Sequence, residues 1–223
     1  MQVSEAIRSR RSIRAFSTRA VDPAVVSKLL DQAAWAPSGS NMQPWQVHVA
    51  TGDALERLRA AALAAFDAGA IAPEWAYYPN PIPEPYLARR RACGFGLYGH
   101  LEIARGDHAG RRHQHRRNYE LFDAPVGLFF FMDARLARGS WLDYGMFLQN
   151  VMLLAREFDL DTCPQAAWLE LHQVVRSELQ VPDTLTMVCG MALGYRESGA
   201  HVNEFQPPRE HAAAFTTWHG TRT

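Results

Sequence analysis

Alternating apolar and polar positions along the chain predict both helices and strands. Apolar residues at helical spacing follow Asp22-Pro23, a helix-starting pair, and this helix is expected to end before Pro37. Alternation over Gln46–Thr51 predicts a strand with Val47 and Val49 on one face. Further helices are expected over residues 2–9, over 53–69 with Asp53 as the cap, around 86–104 and 108–119, and over 167–179.

Three segments are apolar almost throughout, which indicates burial on more than one side. Residues 124–132 and Leu185–Gly194 are predicted to be buried strands, and the small residues Cys189, Gly190 and Ala192 permit close packing in the second. Residues 141–158 predict a helix with apolar side chains on nearly every face. Such a helix is buried in a large core or against a second subunit.

Two segments show no regular pattern. Residues 73–85 contain five prolines among several aromatic residues, so residues 73–120 are expected to begin with an irregular excursion or lid. Residues 196–223 show no clear element but contain Phe205, Phe215 and Trp218, and we expect this extension to dock on another surface. Because no linker or repeat divides the chain, residues 1–223 are predicted to form one α+β domain with a small mixed sheet between helices.

Composition narrows the classes of function. The 223 residues carry a formal net charge of zero, so no global charge favours nucleic acid or a membrane surface as a partner. No apolar run reaches the roughly 18 residues that span a bilayer, and three cysteines at unrelated spacings favour a cytoplasmic protein without disulfides. Lys28 is the only lysine, which excludes a Walker-A lysine or Schiff-base catalysis elsewhere in the chain.

A dense basic cluster follows the first predicted helix. Arg10, Arg11, Ser12 and Arg14 place three guanidinium groups and a hydroxyl within five residues. One interpretation is a solvated helix end whose arginines pair with acids. The other is an anion pocket in which Arg10 and Ser12 hold a phosphate and Arg14 reaches a second polar group.

A polar loop rich in small residues precedes the first predicted strand. The run from Pro37 to Trp45 would serve as a plain helix stop and turn, because proline, serine, glycine and asparagine all favour turns. That reading leaves Gln43 and Trp45 unexplained. In the functional reading, backbone and hydroxyl groups of Ser38, Gly39 and Ser40 face a planar heteroaromatic ring.

The two motifs in this order resemble the FMN-dependent nitroreductase family. R-R-S-x-R and A-P-S-x-x-N-x-Q-P-W are followed, in the family's order, by segments 118–126, 161–167 and 190–195 and by Arg209. The resemblance spans nearly the whole chain. It implies an intertwined homodimer with bound FMN, NADH or NADPH as electron donor, and a nitroaromatic or quinone-like acceptor reduced by a ping-pong mechanism.

The resemblance also implies roles for individual residues. Arg10, Arg11, Ser12 and Arg209 would bind the phosphate and ribityl chain of FMN, and Arg14 would lie near the N1/O2 edge of its ring. The partner subunit would supply Pro37, Ser38, Gly39, Ser40, Asn41 and Gln43. Pro164, Gln165, Ala166 and Ala167 would pass the N5 edge, and the C-terminal extension would dock on the partner. Ser40, Phe122 and Trp141 are candidates for the substrate channel.

No catalytic side chain is expected, because the flavin carries the chemistry. Two alternatives stay open, a flavin-modifying enzyme similar to the cobalamin lower-ligand synthases and a non-catalytic FMN-binding or redox-sensing protein. Gly94 to Gly99 spell G-x-G-x-x-G but follow arginines rather than a strand, which argues against a dinucleotide fold. The basic run from Arg111 to Arg117 is interpreted as a solvated face that could attract an anionic donor, and no metal site is expected.

Overall fold

A four-stranded sheet lies at the centre of the computed structural model, which describes residues 1–220. Its strands are β1 (Gln46–Thr51), β2 (Val126–Asp133), β3 (Asp161–Gln165) and β4 (Leu185–Gly194), in the order β1-β2-β4-β3. All three ladders are antiparallel. The parallel part of the expected mixed sheet is therefore reduced, among the described residues, to one bridge between Ser12 and Thr162.

Seven helices accompany the sheet in the described part of the chain. They are α1 (Val3–Ser9), α2 (Pro23–Ala33), α3 (Gly52–Asp67), α4 (Tyr86–His100), α5 (His108–Arg116), α6 (Arg138–Glu157) and α7 (His172–Leu179). The Asp22 carboxylate caps α2 by accepting a hydrogen bond from the Ala24 N–H at 2.8 Å. The structure differs from two predictions, the cap of α3 and the extent of the helix over 167–179.

Asp53 lies in the first turn of α3, after the N-cap Thr51, where its charge favours the helix dipole without capping. The helix expected over 167–179 is divided into a 3₁₀ segment, Ala166–Leu171, and α7.

Helices cover both faces of the sheet because its central strands are apolar on both sides. Side chains of β2 alternate between two cores, with Phe129 facing the core that contains α3 and α7 and Phe130 facing the core that contains α2 and α6. Gly190 allows the closest packing in β4, since a Cβ there would lie 2.8 Å from Cγ of Trp168. The prediction of close packing at this strand is confirmed.

The long helix α6 is not buried on every side within one chain. Tyr144, Phe147 and Val151 are buried against the sheet, whereas Leu142 is 71% exposed. The all-round apolar pattern therefore leaves a face that one chain does not cover. No helix within residues 1–220 combines the length and hydropathy that a membrane crossing requires.

The segments without regular pattern are held by specific contacts. Glu74 forms an ion pair with Arg176 at 2.8 Å and accepts the Met187 N–H, which ties the start of the proline-rich segment to α7 and β4. In the C-terminal extension, Phe205 packs on Gly96 of α4, and Arg89 pairs with Glu210 at 3.0 Å. The extension therefore docks at least partly on α4 of its own chain. The prediction that it docks on a partner subunit also covers residues 221–223, which lie outside the described residues.

Candidate active site

The arginines of the N-terminal motif meet the late arginine in one cavity. Arg10, Arg11, Ser12, Arg14 and Arg209 line a cavity of about 130 Å³. Its remaining wall consists of Phe205, Gln206 and Pro207 from the C-terminal extension and Cys93 from α4, none of which the sequence indicated.

Backbone contacts on both sides of Ile13 hold the motif in place. The Ile13 side chain is fully buried, and its N–H donates to the Thr162 carbonyl at 3.0 Å. The buried Asn203 side chain accepts the N–H groups of Arg14 and Ala15, at 2.8 and 3.1 Å, and donates to the Ala15 carbonyl. Asn203 therefore attaches the C-terminal extension to the motif much as a neighbouring strand would.

The cavity concentrates positive charge without a compensating acid. Burial, and then repulsion from Arg209, lowers the pKa of Arg10. No carboxylate within residues 1–220 forms an ion pair with Arg10, Arg11, Arg14 or Arg209. Burial raises the pKa of the nearby Cys163 thiol to about 11, so this group is neutral at physiological pH. An anion would offset this charge.

One residue that lines this cavity also has an unpaired polar atom. The Nε of Arg11 is buried and has no hydrogen-bond partner among the described residues. A buried donor without a partner is costly unless a ligand or water pairs with it. The cavity thus fits the phosphate-binding role that the resemblance implies for these residues.

A second, larger pocket contains part of the segment expected near the flavin N5 edge. Pro164, Gln165 and Ala166 line it together with Trp141 of α6, and its volume is about 380 Å³. Ala167 does not line it; its carbonyl accepts a hydrogen bond from the Tyr119 hydroxyl at 3.3 Å. We call this pocket the aromatic pocket.

Most of the aromatic wall was not predicted. Trp75, Tyr77 and Tyr78 line the aromatic pocket from the proline-rich segment. Trp75 is fixed by a 2.8 Å hydrogen bond from its indole N–H to the Met187 carbonyl and by an edge contact with Trp141, 4.8 Å between ring centroids. The abundance of aromatic residues in this irregular segment was the available signal.

Gln165 presents an unsatisfied acceptor in the same region. Its side-chain amide nitrogen donates to the Asn118 carbonyl at 2.7 Å, which fixes the orientation of the amide. Its Oε1 atom is buried and accepts no hydrogen bond from the described residues. The aromatic side chains of the same pocket suit a planar ring.

Phe122 lines neither of these pockets within one chain. Its side chain is 1% exposed and packs in the core on the α3 face of the sheet. Its backbone is left-handed, with φ 54°, and its carbonyl accepts the Phe16 N–H at 2.9 Å. The turn before β2 thus directs this side chain into the core, and its role in the substrate channel stays a prediction.

The loop from Pro37 to Gln43 lies apart from both pockets within one chain. Pro37, Asn41 and Gln43 line a separate surface pocket beside Trp35. The loop is shaped by a hydrogen bond from the Gln43 N–H to Ser38 Oγ at 3.0 Å and by left-handed backbone at Ser40, Asn41 and Gln43. The Gly39 N–H donates to the Asp143 carboxylate of α6 at 3.2 Å.

Two motif-like runs are resolved by their surroundings. Gly94 to Gly99 lie inside α4, so the G-x-G-x-x-G spelling marks no phosphate loop and its dismissal is confirmed. The basic run from Arg111 to Arg117 is largely neutralised, because Arg116 and Arg117 pair with Asp67, Glu120 and Asp123. Since α5 has no buried residue, its interpretation as a solvated face is confirmed, while the attraction of an anionic donor stays a prediction.

Three potential metal ligands meet where α4 contacts the C-terminal extension. His100, His201 and Glu204 place one ligand-type atom each within 4.8 Å of one another. The imidazole rings stack at 3.8 Å, and His100 Nε2 lies 2.6 Å from the His201 carbonyl oxygen. These contacts account for the cluster as a helix–tail junction, and the absence of a metal stays a prediction.

Comparisons with known proteins agree with this architecture. The model of the nitroreductase family matches residues 7–195. The chain is 42% identical over 219 residues to a chloronitrobenzene nitroreductase of Comamonas testosteroni, covering 97% of this chain and 96% of the relative. It is 39% identical over 214 residues to a 4-nitrobenzoate reductase of Pseudomonas putida, covering 96% and 94%.

A solved structure shows the same fold throughout. The FMN and NADPH-dependent nitroreductase NfnB from Sphigopyxis sp. strain HMH superposes with a TM-score of 0.96 and 39% identity over 99% of this chain and 100% of the other. Sequence motifs, family match and fold thus agree, and this chain belongs to the nitroreductase family.

Proposed function

We propose that this chain is an FMN-dependent oxidoreductase that transfers two electrons from NADPH or NADH to a nitroaromatic or quinone-like acceptor by a ping-pong mechanism. The observation that carries the proposal is the presence of two sites in one chain, an arginine cavity whose described lining contains no acid and an aromatic pocket bordered by Pro164 and Gln165. The relatives' names, which include nitroaromatic reductases and an FMN and NADPH-dependent enzyme, support the same reaction.

The residues of the arginine cavity would hold the FMN phosphate. Arg10, Arg11 and Arg209 supply the positive charge, and Ser12 supplies a hydroxyl. Phosphate recognition by guanidinium groups gives short, directional, charge-assisted hydrogen bonds. When bound, FMN supplies the electron transfer itself, taking hydride from the donor and reducing the acceptor.

Arg14 would stabilise negative charge at the flavin ring. Its backbone is fixed by Asn203, and its guanidinium donates to the Ser12 carbonyl at 3.1 Å. A guanidinium held in advance costs no reorganisation when charge develops, which is the main source of electrostatic stabilisation in enzymes. The aromatic pocket would bind the planar acceptor and donor in turn and keep water away from the ring.

We further propose that two copies form each site. The loop from Pro37 to Gln43 is exposed and separate from both pockets in its own chain, as expected of a segment that completes a partner's site. Leu142 of α6 and Trp35 beside the loop are exposed apolar side chains suited to a subunit interface.

We also propose that the protein acts in the cytoplasm, since its three cysteines are free.

Quantifying the nitro-reduction product together with the FMN that remains after turnover tests this function. The purified protein, loaded with FMN, is incubated without oxygen with NADPH and a chloronitrobenzene, and the nitro product and the flavin are quantified. We expect NADPH oxidation to match nitro reduction over many turnovers, with FMN recovered intact.

Other outcomes identify the alternatives. In a parallel incubation in air with the donor, loss of FMN during turnover would indicate a flavin-modifying enzyme. Bound FMN without turnover would indicate a binding or sensing protein, and a preparation that stays colourless after FMN is added would refute the proposal altogether.

A further inference from the structure

The aromatic pocket has a continuous aromatic wall that ends at a cation. Trp141 contacts Trp75, Trp75 stacks on Tyr77 at 5.7 Å, and Tyr77 contacts Tyr78 at 4.8 Å between centroids. The guanidinium of Arg90 lies over the outer ring of this series, with its Cζ 4.5 Å from the Tyr78 centroid.

The pocket itself contains no charged side chain within the described part of the chain. Its lining consists of aromatic, aliphatic and amide groups and the Cys189 thiol. Arg90 is therefore the cation that touches its wall, and it comes from α4, a helix without buried residues. Stacking on Tyr78 orders the guanidinium while its edge stays available for hydrogen bonds.

Its neighbours on α4 differ in their partners. Arg89 is already paired with Glu210, while Arg90 has no ion pair with any acid of residues 1–220. In the basic run from Arg111 to Arg117, the arginines at 112, 116 and 117 pair with acids. Among these arginines, Arg90 combines an unpaired charge with contact to the pocket wall.

We infer that Arg90 is a specificity-determining residue that binds an anionic group of the molecule in the aromatic pocket. The inference rests on the proposed function. The anion is a carboxylate on an aromatic acceptor or a phosphate of the NADPH or NADH donor. The planar guanidinium would bind either anion by charge-assisted hydrogen bonds, while the aromatic part of the molecule stacks along the wall.

Paired acceptors and paired donors test this in the FMN-loaded enzyme. Arg90→Gln is compared with wild type using 4-nitrobenzoate against nitrobenzene, and NADPH and NADH at fixed nitrobenzene. We expect KM for the anionic ligand to rise about 2- to 5-fold, as for an exposed ion pair, and the effect to shrink at high salt. KM for nitrobenzene and the maximal kcat stay unchanged.

The two sources of the anion give different patterns. A rise confined to 4-nitrobenzoate assigns the acceptor carboxylate, and a rise in donor KM assigns the donor phosphate. Arg90→Lys should restore part of the loss, and Arg91→Gln, an exposed neighbour, serves as the matched control.

Two results would overturn the inference. One is unchanged KM for every ligand, and the other is an equal rise for nitrobenzene and 4-nitrobenzoate, which would mean that Arg90 only positions Tyr78. Failure of the proposed function is distinct, because then the wild-type enzyme itself would show no turnover with any pair.

Discussion

Arg10 and Arg209, from opposite ends of the described chain, line the same cavity and repel each other. Burial is the larger cause of the lowered pKa of Arg10, and the charge of Arg209 adds to it. A fold gains nothing from this arrangement by itself, because like charges at close range destabilise the native state. The arrangement becomes favourable when an anion binds between the two guanidinium groups.

Replacing Arg209 should therefore act in opposite directions on the empty and the loaded protein. We expect Arg209→Ala to weaken FMN binding about 10- to 100-fold, since a charge-assisted hydrogen bond is lost. The flavin-free protein should unfold at no lower denaturant concentration than wild type, because repulsion is relieved. Fluorescence titration and urea unfolding measure the two quantities, with the exposed Arg57→Ala as control. Equal losses in both would mean that Arg209 is merely structural.

Complementation between two defective subunits should show whether the loop acts across an interface. Arg10→Ala/Arg14→Ala removes the arginine side of the site, and Ser40→Trp blocks the exposed loop. Each homodimer should bind little FMN. A heterodimer, isolated by two different tags, has one site with both intact parts and should bind about one FMN per dimer. A heterodimer without FMN would show that the loop serves its own subunit.

Trp141 should contribute to acceptor binding without affecting the cofactor. It lines the aromatic pocket and contacts Trp75 edge-on. Because an aromatic pair contributes about 0.5–1.5 kcal/mol, Trp141→Ala should raise KM for nitrobenzene about 3- to 10-fold. Trp141→Phe should retain most of the wild-type affinity, and FMN content should be equal in all three proteins. Unchanged acceptor kinetics in the alanine variant would exclude the residue from the channel.

Phe122 should behave as a core residue in the same assays. Its side chain is almost fully buried on the α3 face of the sheet. Phe122→Ala should lower the free energy of unfolding by about 3–5 kcal/mol, as in other large-to-small core substitutions. Its acceptor KM at a temperature where it is folded should match wild type. If the variant had wild-type stability but a changed acceptor KM, Phe122 would belong to the substrate channel instead.

The Glu170 carboxylate predicts a specific acid dependence of stability. A hydrogen bond from His115 lowers its pKa from 4.5, burial opposes this, and the Tyr119 hydroxyl, 2.6 Å away, lowers it further. A depressed folded-state pKa stabilises the fold above the unfolded pKa, and this contribution is lost as pH falls through the folded value. Glu170→Gln should therefore cost about 1 kcal/mol at pH 7 and progressively less below pH 4.5.

Urea unfolding across this pH range measures the difference. The exposed Glu157→Gln should show no comparable convergence with wild type. A constant difference between Glu170→Gln and wild type from pH 7 to pH 3 would contradict the assignment.

The sequence pattern predicted those strands and caps that depend on adjacent residues. The strands over Gln46–Thr51 and Leu185–Gly194 and the Asp22 cap were predicted where they occur, since alternation and capping depend on adjacent residues. Asp53 was misplaced because neighbouring polar residues compete for the cap within one or two positions.

Contacts between residues that are distant in the sequence could not be predicted from local patterns. Asn203 reaches Arg14 across most of the chain, and Asp67, which pairs with Arg116 of α5, comes from α3. Phe122 lies in a turn, where no periodicity states whether a side chain faces a pocket or the core. The meeting of Arg209 with the N-terminal arginines followed from the family resemblance alone.

The central claim is that this chain holds a flavin which NADPH or NADH reduces and a nitroaromatic reoxidises. Anaerobic stopped-flow absorbance of the FMN-loaded protein tests it in two separate half-reactions. The account predicts that one equivalent of donor bleaches the flavin and that adding a nitroaromatic afterwards restores the colour at a rate compatible with turnover. A flavin that the donor does not bleach, or that the nitroaromatic does not reoxidise, would contradict it.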